Sequence, residues 1–133
     1  MRILIVEDDF TNRILLQKFL SPYGSCDIAV NGAEAVQAFQ LAADDGIFYD
    51  LICLDIMMPQ MDGNEALKII REKEKQMKIA PEKETKILMV TALDSPKDVI
   101  ESFYQGGCTA YLVKPVQKSI LIRRLKELNF DIC

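Results

Sequence analysis

The segment Asp50-Leu51-Ile52-Cys53-Leu54-Asp55 sets an unbroken apolar run between two carboxylates. A strand with one face in water alternates apolar and polar residues, whereas a strand covered on both faces is apolar throughout. Residues 50–54 therefore read as a buried strand of a parallel sheet, with Asp55 just beyond its carboxyl end. Met57-Met58-Pro59 and Asp62-Gly63 follow, a composition that favours a turn.

Outward from this strand, comparable runs occupy 2–6 and 86–90, with further short apolar runs at 26–30 and 110–113. Between them, apolar residues recur at three- and four-residue steps: Val36, Phe39 and Ala43 in a second helix, Leu121, Leu125 and Leu128 in a last one. Asn31, Asp62 and Ser95 are placed to cap the second, third and fourth helices, and Pro96 falls at a first helical position. Gly24 and Gly106-Gly107 lie where helices must end. The alternation predicts an α/β fold of (βα)5 type, a doubly wound five-stranded parallel sheet in the order 2-1-3-4-5. The one composition shift, the mixed-charge run Arg71 to Lys86 broken by Pro81, reads as a solvated helix end followed by a loop.

A length of 133 residues, half of them hydrophobic, predicts a single domain over 1–133. Only Asn129 to Cys133 follow the last helix, so no output domain is expected within this chain. The net charge of −4, without a basic cluster, argues against a nucleic-acid partner. No apolar run approaches the ~18 residues that span a bilayer, and no secretory leader is evident, so the expectation is a cytoplasmic protein without a membrane partner. Cys26, Cys53, Cys108 and Cys133 are scattered and suggest neither a zinc site nor a disulfide framework. The chain has no histidine, which excludes Ser-His-Asp and Cys-His catalysis and a histidine phosphocarrier role.

Polar residues punctuate the carboxyl ends of the strands: Glu7-Asp8-Asp9, Asp55, Thr91 and Lys114-Pro115. In an open parallel sheet those ends share one edge, where ligands bind at the point of strand-order reversal. Glu7, Asp8 and Asp55 gathered there repel one another and call for a cation; a hard divalent ion that retains waters, Mg²⁺ foremost, meets the need. Lys114 and Thr91 add a positive charge and a hydroxyl donor. A carboxylate nucleophile beside a divalent ion and a lysine is the minimum apparatus for an aspartyl phosphate, since phosphoryl transfer rests on positioning and charge neutralisation.

The motifs Val6-Glu7-Asp8-Asp9, Leu54-Asp55-Ile56-Met57-Met58-Pro59-Gln60-Met61-Asp62-Gly63, Val90-Thr91-Ala92 and Tyr111-Leu112-Val113-Lys114-Pro115 resemble those of response-regulator receiver domains of two-component signalling, flavodoxin-like in fold. The resemblance covers essentially the whole chain. It implies that Asp55 is the phosphoacceptor, taking its phosphoryl group from a sensor histidine kinase or a histidine phosphotransfer protein. It implies Mg²⁺ or Mn²⁺ held by Asp8, Asp55 and the backbone carbonyl of Met57, with Glu7 acting through a metal-bound water. Thr91 and Lys114 would hold phosphoryl oxygens, and Asp9 would lie outside the ligand set. Thr91 and Tyr111 would form a switch altering the surface of the fourth helix, fifth strand and fifth helix, read by a downstream protein, and Lys114-Pro115 would be a cis peptide.

Two departures accompany the resemblance. The segment around Lys75 to Lys86 is longer than the family's usual connection, and the bulky Met57 and Leu93 stand where the family tunes phosphoryl loss, which predicts slow autodephosphorylation. An enzymatic alternative, a phosphatase with an aspartyl nucleophile, would place a general acid two residues after Asp55, where Met57 stands. A mononucleotide-binding flavodoxin-like protein lacks support because acidic Glu7-Asp8-Asp9 replaces a phosphate loop. A degenerate, phosphorylation-independent receiver is at odds with the complete set of acidic residues, Thr91 and Lys114.

Overall fold

Three strands buried along nearly their whole length form the centre of the molecule: β1 (Arg2–Val6), β3 (Leu51–Asp55) and β4 (Lys86–Thr91). The computed structural model describes residues 1–58, 60–92, 107 and 109–132. At the sheet edges lie β2 (Ser25–Ala29) and β5 (Ala110–Val113), and all pairings are parallel in the order β2-β1-β3-β4-β5. Helices α1 (Phe10–Leu20), α2 (Gly32–Asp44), α3 (Gly63–Gln76) and a C-terminal helix (Lys118–Glu127) connect or follow the strands. The expected (βα)5 sheet order is thus observed; Leu93, Ser95, Pro96 and Gly106 lie outside the described residues.

Alternation along each central strand divides the core in two, as side chains on successive residues must. Leu4, Val6, Ile52, Leu54, Ile87 and Met89 point to one face and meet Phe39 of α2 with Leu67 and Ile70 of α3. Ile3, Ile5, Leu51, Cys53, Leu88 and Val90 point to the other and meet Leu16 and Leu20 of α1 with Leu121 and Leu125 of the C-terminal helix. Each such buried aliphatic or aromatic side chain stabilises the fold by about 1.5–3 kcal/mol.

Three local expectations are corrected. The second and third strands run one residue out of the expected register, 25–29 and 51–55, so Asp55 belongs to the strand itself. The buried stripe of α2 is Ala35, Phe39 and Ala42, with Val36 and Ala43 at its flank. The third correction concerns Arg71 to Lys86, which is not simply solvated. Glu74 is 2% exposed and accepts from Arg71 at 2.6 Å and from the Thr85 N–H at 2.8 Å. Arg71 also donates to the carbonyls of Thr85 and Gly107, both at 2.9 Å. This pair ties α3 to the start of β4 and to the approach to β5.

Candidate functional site

Each site residue is held by the backbone that ends its strand. The Glu7 N–H donates to the Ala29 carbonyl at 3.1 Å, which carries the chain one residue past β1 before it turns outward. Asp55 closes β3, and the next N–H, of Ile56, donates to the Val90 carbonyl at 3.0 Å. The chain then folds back: the Gly63 N–H donates to the Ile56 carbonyl at 2.9 Å, and a Cβ at Gly63 would lie 2.2 Å from the Asp55 carbonyl oxygen. Only glycine permits that approach, so α3 begins directly against the end of β3. The Lys114 N–H donates to the Thr91 carbonyl at 2.7 Å, anchoring the ammonium-bearing residue beside the end of β4.

The result is a compact charge cluster. Lys114 Nζ lies 3.2 Å from Glu7 Oε1 and 3.2 Å from Asp55 Oδ1. Glu7 is fully buried and Asp55 is 2% exposed, while Asp8 faces solvent at the mouth. One carboxylate oxygen from each of Glu7, Asp8 and Asp55 lies within 4.8 Å of the others. Among the described residues, Glu7 Oε2 and Asp55 Oδ2 are buried without a hydrogen-bond partner. Burial, reinforced by the neighbouring Asp55 carboxylate and opposed by Lys114, pushes the Glu7 carboxyl up to about 7. Burial alone would lower the Lys114 pKa, but the charges of Asp55 and Glu7 outweigh it and raise it.

Three carboxylates against one ammonium leave an excess of negative charge, and two orphaned buried oxygens cost stability unless a cation reaches them. An oxygen-only donor set of this kind fits a hard divalent ion. Asp9 is engaged elsewhere, where it caps α1 by accepting from the Asn12 N–H at 2.9 Å. Its place outside the acidic group therefore has a structural reason.

The remaining predicted residues lie on β4, on β5 and in the segments that follow β3 and β5. Thr91 closes β4, is buried, and its hydroxyl donates to the Ala92 carbonyl at 3.3 Å. Tyr111 on β5 is half-buried, with the Arg124 guanidinium 5.9 Å from its ring centroid and donating to its carbonyl at 3.1 Å. The Lys114–Pro115 peptide is cis. The Met57 side chain is 63% exposed. Sequence reasoning passed over Phe10 and Ile14, which leave 67% and 47% of their surface exposed on the first turns of α1, immediately after the acidic residues. Their four-residue spacing is the signal that would have found them.

Residues 3–126 match the response regulator receiver domain, and the chain belongs to that family. It is 38% identical over 133 positions to hybrid signal transduction histidine kinase B of Dictyostelium discoideum, covering 95% of this chain and 6% of that protein. The chain spans less than two thirds of the curated relatives it matches first, 56% of one and 16% of another. Among solved structures it resembles the receiver domain of Saccharomyces cerevisiae Ssk1, determined with the histidine phosphotransfer signaling protein Ypd1. The identity is 34% and the TM-score 0.79, over 96% of this chain and 87% of that one. It also resembles the receiver domain of the Pseudomonas aeruginosa sensor histidine kinase PA1611, which has a magnesium ion coordinated in its active-site cleft. There the identity is 28% and the TM-score 0.74, over 95% and 94% of the two chains.

Proposed function

We propose that Asp55 accepts a phosphoryl group from a phosphohistidine on a sensor histidine kinase or a histidine phosphotransfer protein, and that the acylphosphate switches a surface read by a downstream protein. The observation that carries this reading is the pairing of two buried carboxylates, Glu7 and Asp55, with one ammonium and an orphaned oxygen on each. A purely structural cluster gains nothing from such an excess of charge.

Asp8, Asp55 and the Met57 carbonyl would hold Mg²⁺ or Mn²⁺ directly, with Glu7 bound through water. When bound, the ion neutralises the carboxylates and the incoming phosphoryl oxygens, so that anion meets anion without prohibitive repulsion. Asp55 supplies the attacking oxygen: a P–O bond forms to its carboxylate as the P–N bond to the donor imidazole breaks, and the electron pair leaves with that nitrogen. Lys114, already shared between Glu7 and Asp55, follows the growing charge on a phosphoryl oxygen. The Thr91 hydroxyl exchanges its weak bond to Ala92 for another phosphoryl oxygen, and Tyr111 repacks in response. This is a shift between two packings, one of which the phosphoryl group favours.

On this reading the chain turns over no external substrate, acts in the cytoplasm, and catalyses only its own phosphorylation and hydrolysis. Incubation with Mg²⁺ and a small phosphodonor, followed by intact-mass measurement, is expected to give one phosphoryl adduct. Asp55→Asn and chelation of the ion each abolish it. An adduct that persists in Asp55→Asn, or none in the wild type, overturns the assignment.

A further inference from the structure

At the opposite end of the sheet from Asp55, a groove of about 450 Å³ is lined by Phe48, Met77, Lys78, Ile79, Ala80 and Lys83. One wall belongs to the α2–β3 connection, the other to the long α3–β4 connection singled out in the sequence. Phe48 stands 39% exposed with its ring 6.4 Å from that of buried Phe39, so the apolar floor is anchored in the core. Met77 leaves 37% of its surface exposed beside it.

The charged residues that line this floor are of one sign. The two ionisable residues that line it are lysines, and neither ammonium makes a hydrogen bond or ion pair among the described residues. In a chain of net charge −4, with Glu82 and Glu84 on either side of Lys83, the lining itself is basic. Lys78 adds a second observation. It follows the last turn of α3 with φ +57, where the Ile79 N–H donates to Glu74 and the Lys78 N–H to Lys75. That closure favours glycine, and a lysine there forgoes stability that glycine would supply. A lysine kept in a conformation that favours glycine points to a role for its side chain.

We infer that this groove docks an acidic amphipathic segment of a partner protein. Apolar side chains rest on Phe48, Met77 and Ile79, while Asp or Glu carboxylates meet Lys78 and Lys83. A concave, anchored floor suits the insertion of a few side chains, whereas a membrane surface calls for apolar groups that protrude. The groove lies at the amino ends of β3 and β4 and Asp55 at a carboxyl end, roughly 13 Å of strand away at ~3.3 Å per residue. Docking therefore leaves the phosphorylation site open.

The test is selection of a displayed random-peptide library against the full chain, followed by fluorescence anisotropy with the enriched peptides. Enriched sequences are expected to combine apolar anchors with Asp or Glu. Phe48→Ser and Lys83→Glu should each weaken them about tenfold or more, and added salt should weaken them further. Lys78→Gly should raise the thermal midpoint while lowering affinity, opposite signs that a merely structural lysine does not give. Asp55→Asn should leave affinity unchanged, so failure of the phosphoacceptor assignment and failure of this one are separable. Enrichment without acidic residues, affinity indifferent to Phe48→Ser and Lys83→Glu, or groove-dependent binding to phosphatidylglycerol vesicles in place of peptides would overturn the inference.

Discussion

Glu7 and Asp55 hold their carboxylates on a single shared cation, each with one oxygen 3.2 Å from Lys114 Nζ. Their other oxygens are buried without hydrogen-bond partners among the described residues. A fold selected for stability alone would replace one of the carboxylates. Keeping both costs stability, a cost that the proposed phosphoacceptor role would explain.

Asp55→Asn removes one buried negative charge while leaving Lys114 paired to Glu7. Without divalent ions it is expected to raise unfolding free energy by about 1–2 kcal/mol, even as it abolishes the phosphoryl adduct. Urea unfolding with and without Mg²⁺ checks this, and the wild type should gain more from the ion than the variant does. A less stable Asp55→Asn protein in metal-free buffer would contradict the assignment of excess negative charge to the site.

Glu7 gives the same charge excess a pH dependence. Its carboxyl titrates near 7 in the folded metal-free chain against 4.5 in its ordinary state. Between those values the unfolded chain releases a proton that the folded chain retains, so stability falls as pH rises through that window. Mg²⁺ favours the ionised form and should reverse the trend, stabilising more at pH 8 than at pH 5. Thermal melts across pH with and without Mg²⁺ would show two diverging curves; parallel curves would refute the coupling.

The sheet was legible because its central strands are apolar on both faces, and the site because its polar residues interrupt those runs at one edge. What escaped reading has a common physical cause, since composition does not distinguish a paired charge from a solvated one. Glu74 and Arg71 read as the solvated end of α3, yet they face each other at 2.6 Å beside the start of β4. The run Glu7-Asp8-Asp9 does not show that the Asp9 carboxylate caps α1. A carboxylate usually marks a strand's end, so Asp55 reads as lying past its strand, whereas it is the last residue of β3. In α2, Ala35 and Ala42 flank Phe39 on the buried side, and small residues weigh too little in a hydropathy pattern to fix its rotation by one position.

The Arg71–Glu74 pair makes a prediction independent of signalling. Glu74 also receives the Thr85 N–H, so Glu74→Ala leaves the Arg71 guanidinium with only its longer ion pair, to Glu84 at 3.5 Å, and frees a buried amide. A buried donor left without its acceptor costs about 1–3 kcal/mol. Arg71→Met combined with Glu74→Leu should cost less than the sum of the separate changes, because neither charge is then left alone. Additive losses in a denaturation double-mutant cycle would show that the two side chains act separately.

Phe10 and Ile14 bear on how a donor reaches Asp55. A donor protein must bring its phosphohistidine within bonding distance of a carboxylate that is only 2% exposed, and so must cover the mouth of the site. Exposed apolar surface close in sequence to that mouth includes Phe10, one residue past Asp9, and Ile14, one turn further along α1. A small phosphodonor needs no such contact. Phe10→Ser and Ile14→Ser are therefore expected to leave phosphorylation by a small donor unchanged. With a donor protein they should raise KM about tenfold at nearly constant kcat, the mark of lost binding that is uniform between ground and transition states. Equal loss with both donors would assign these residues to the architecture of the acidic cluster instead of to recognition.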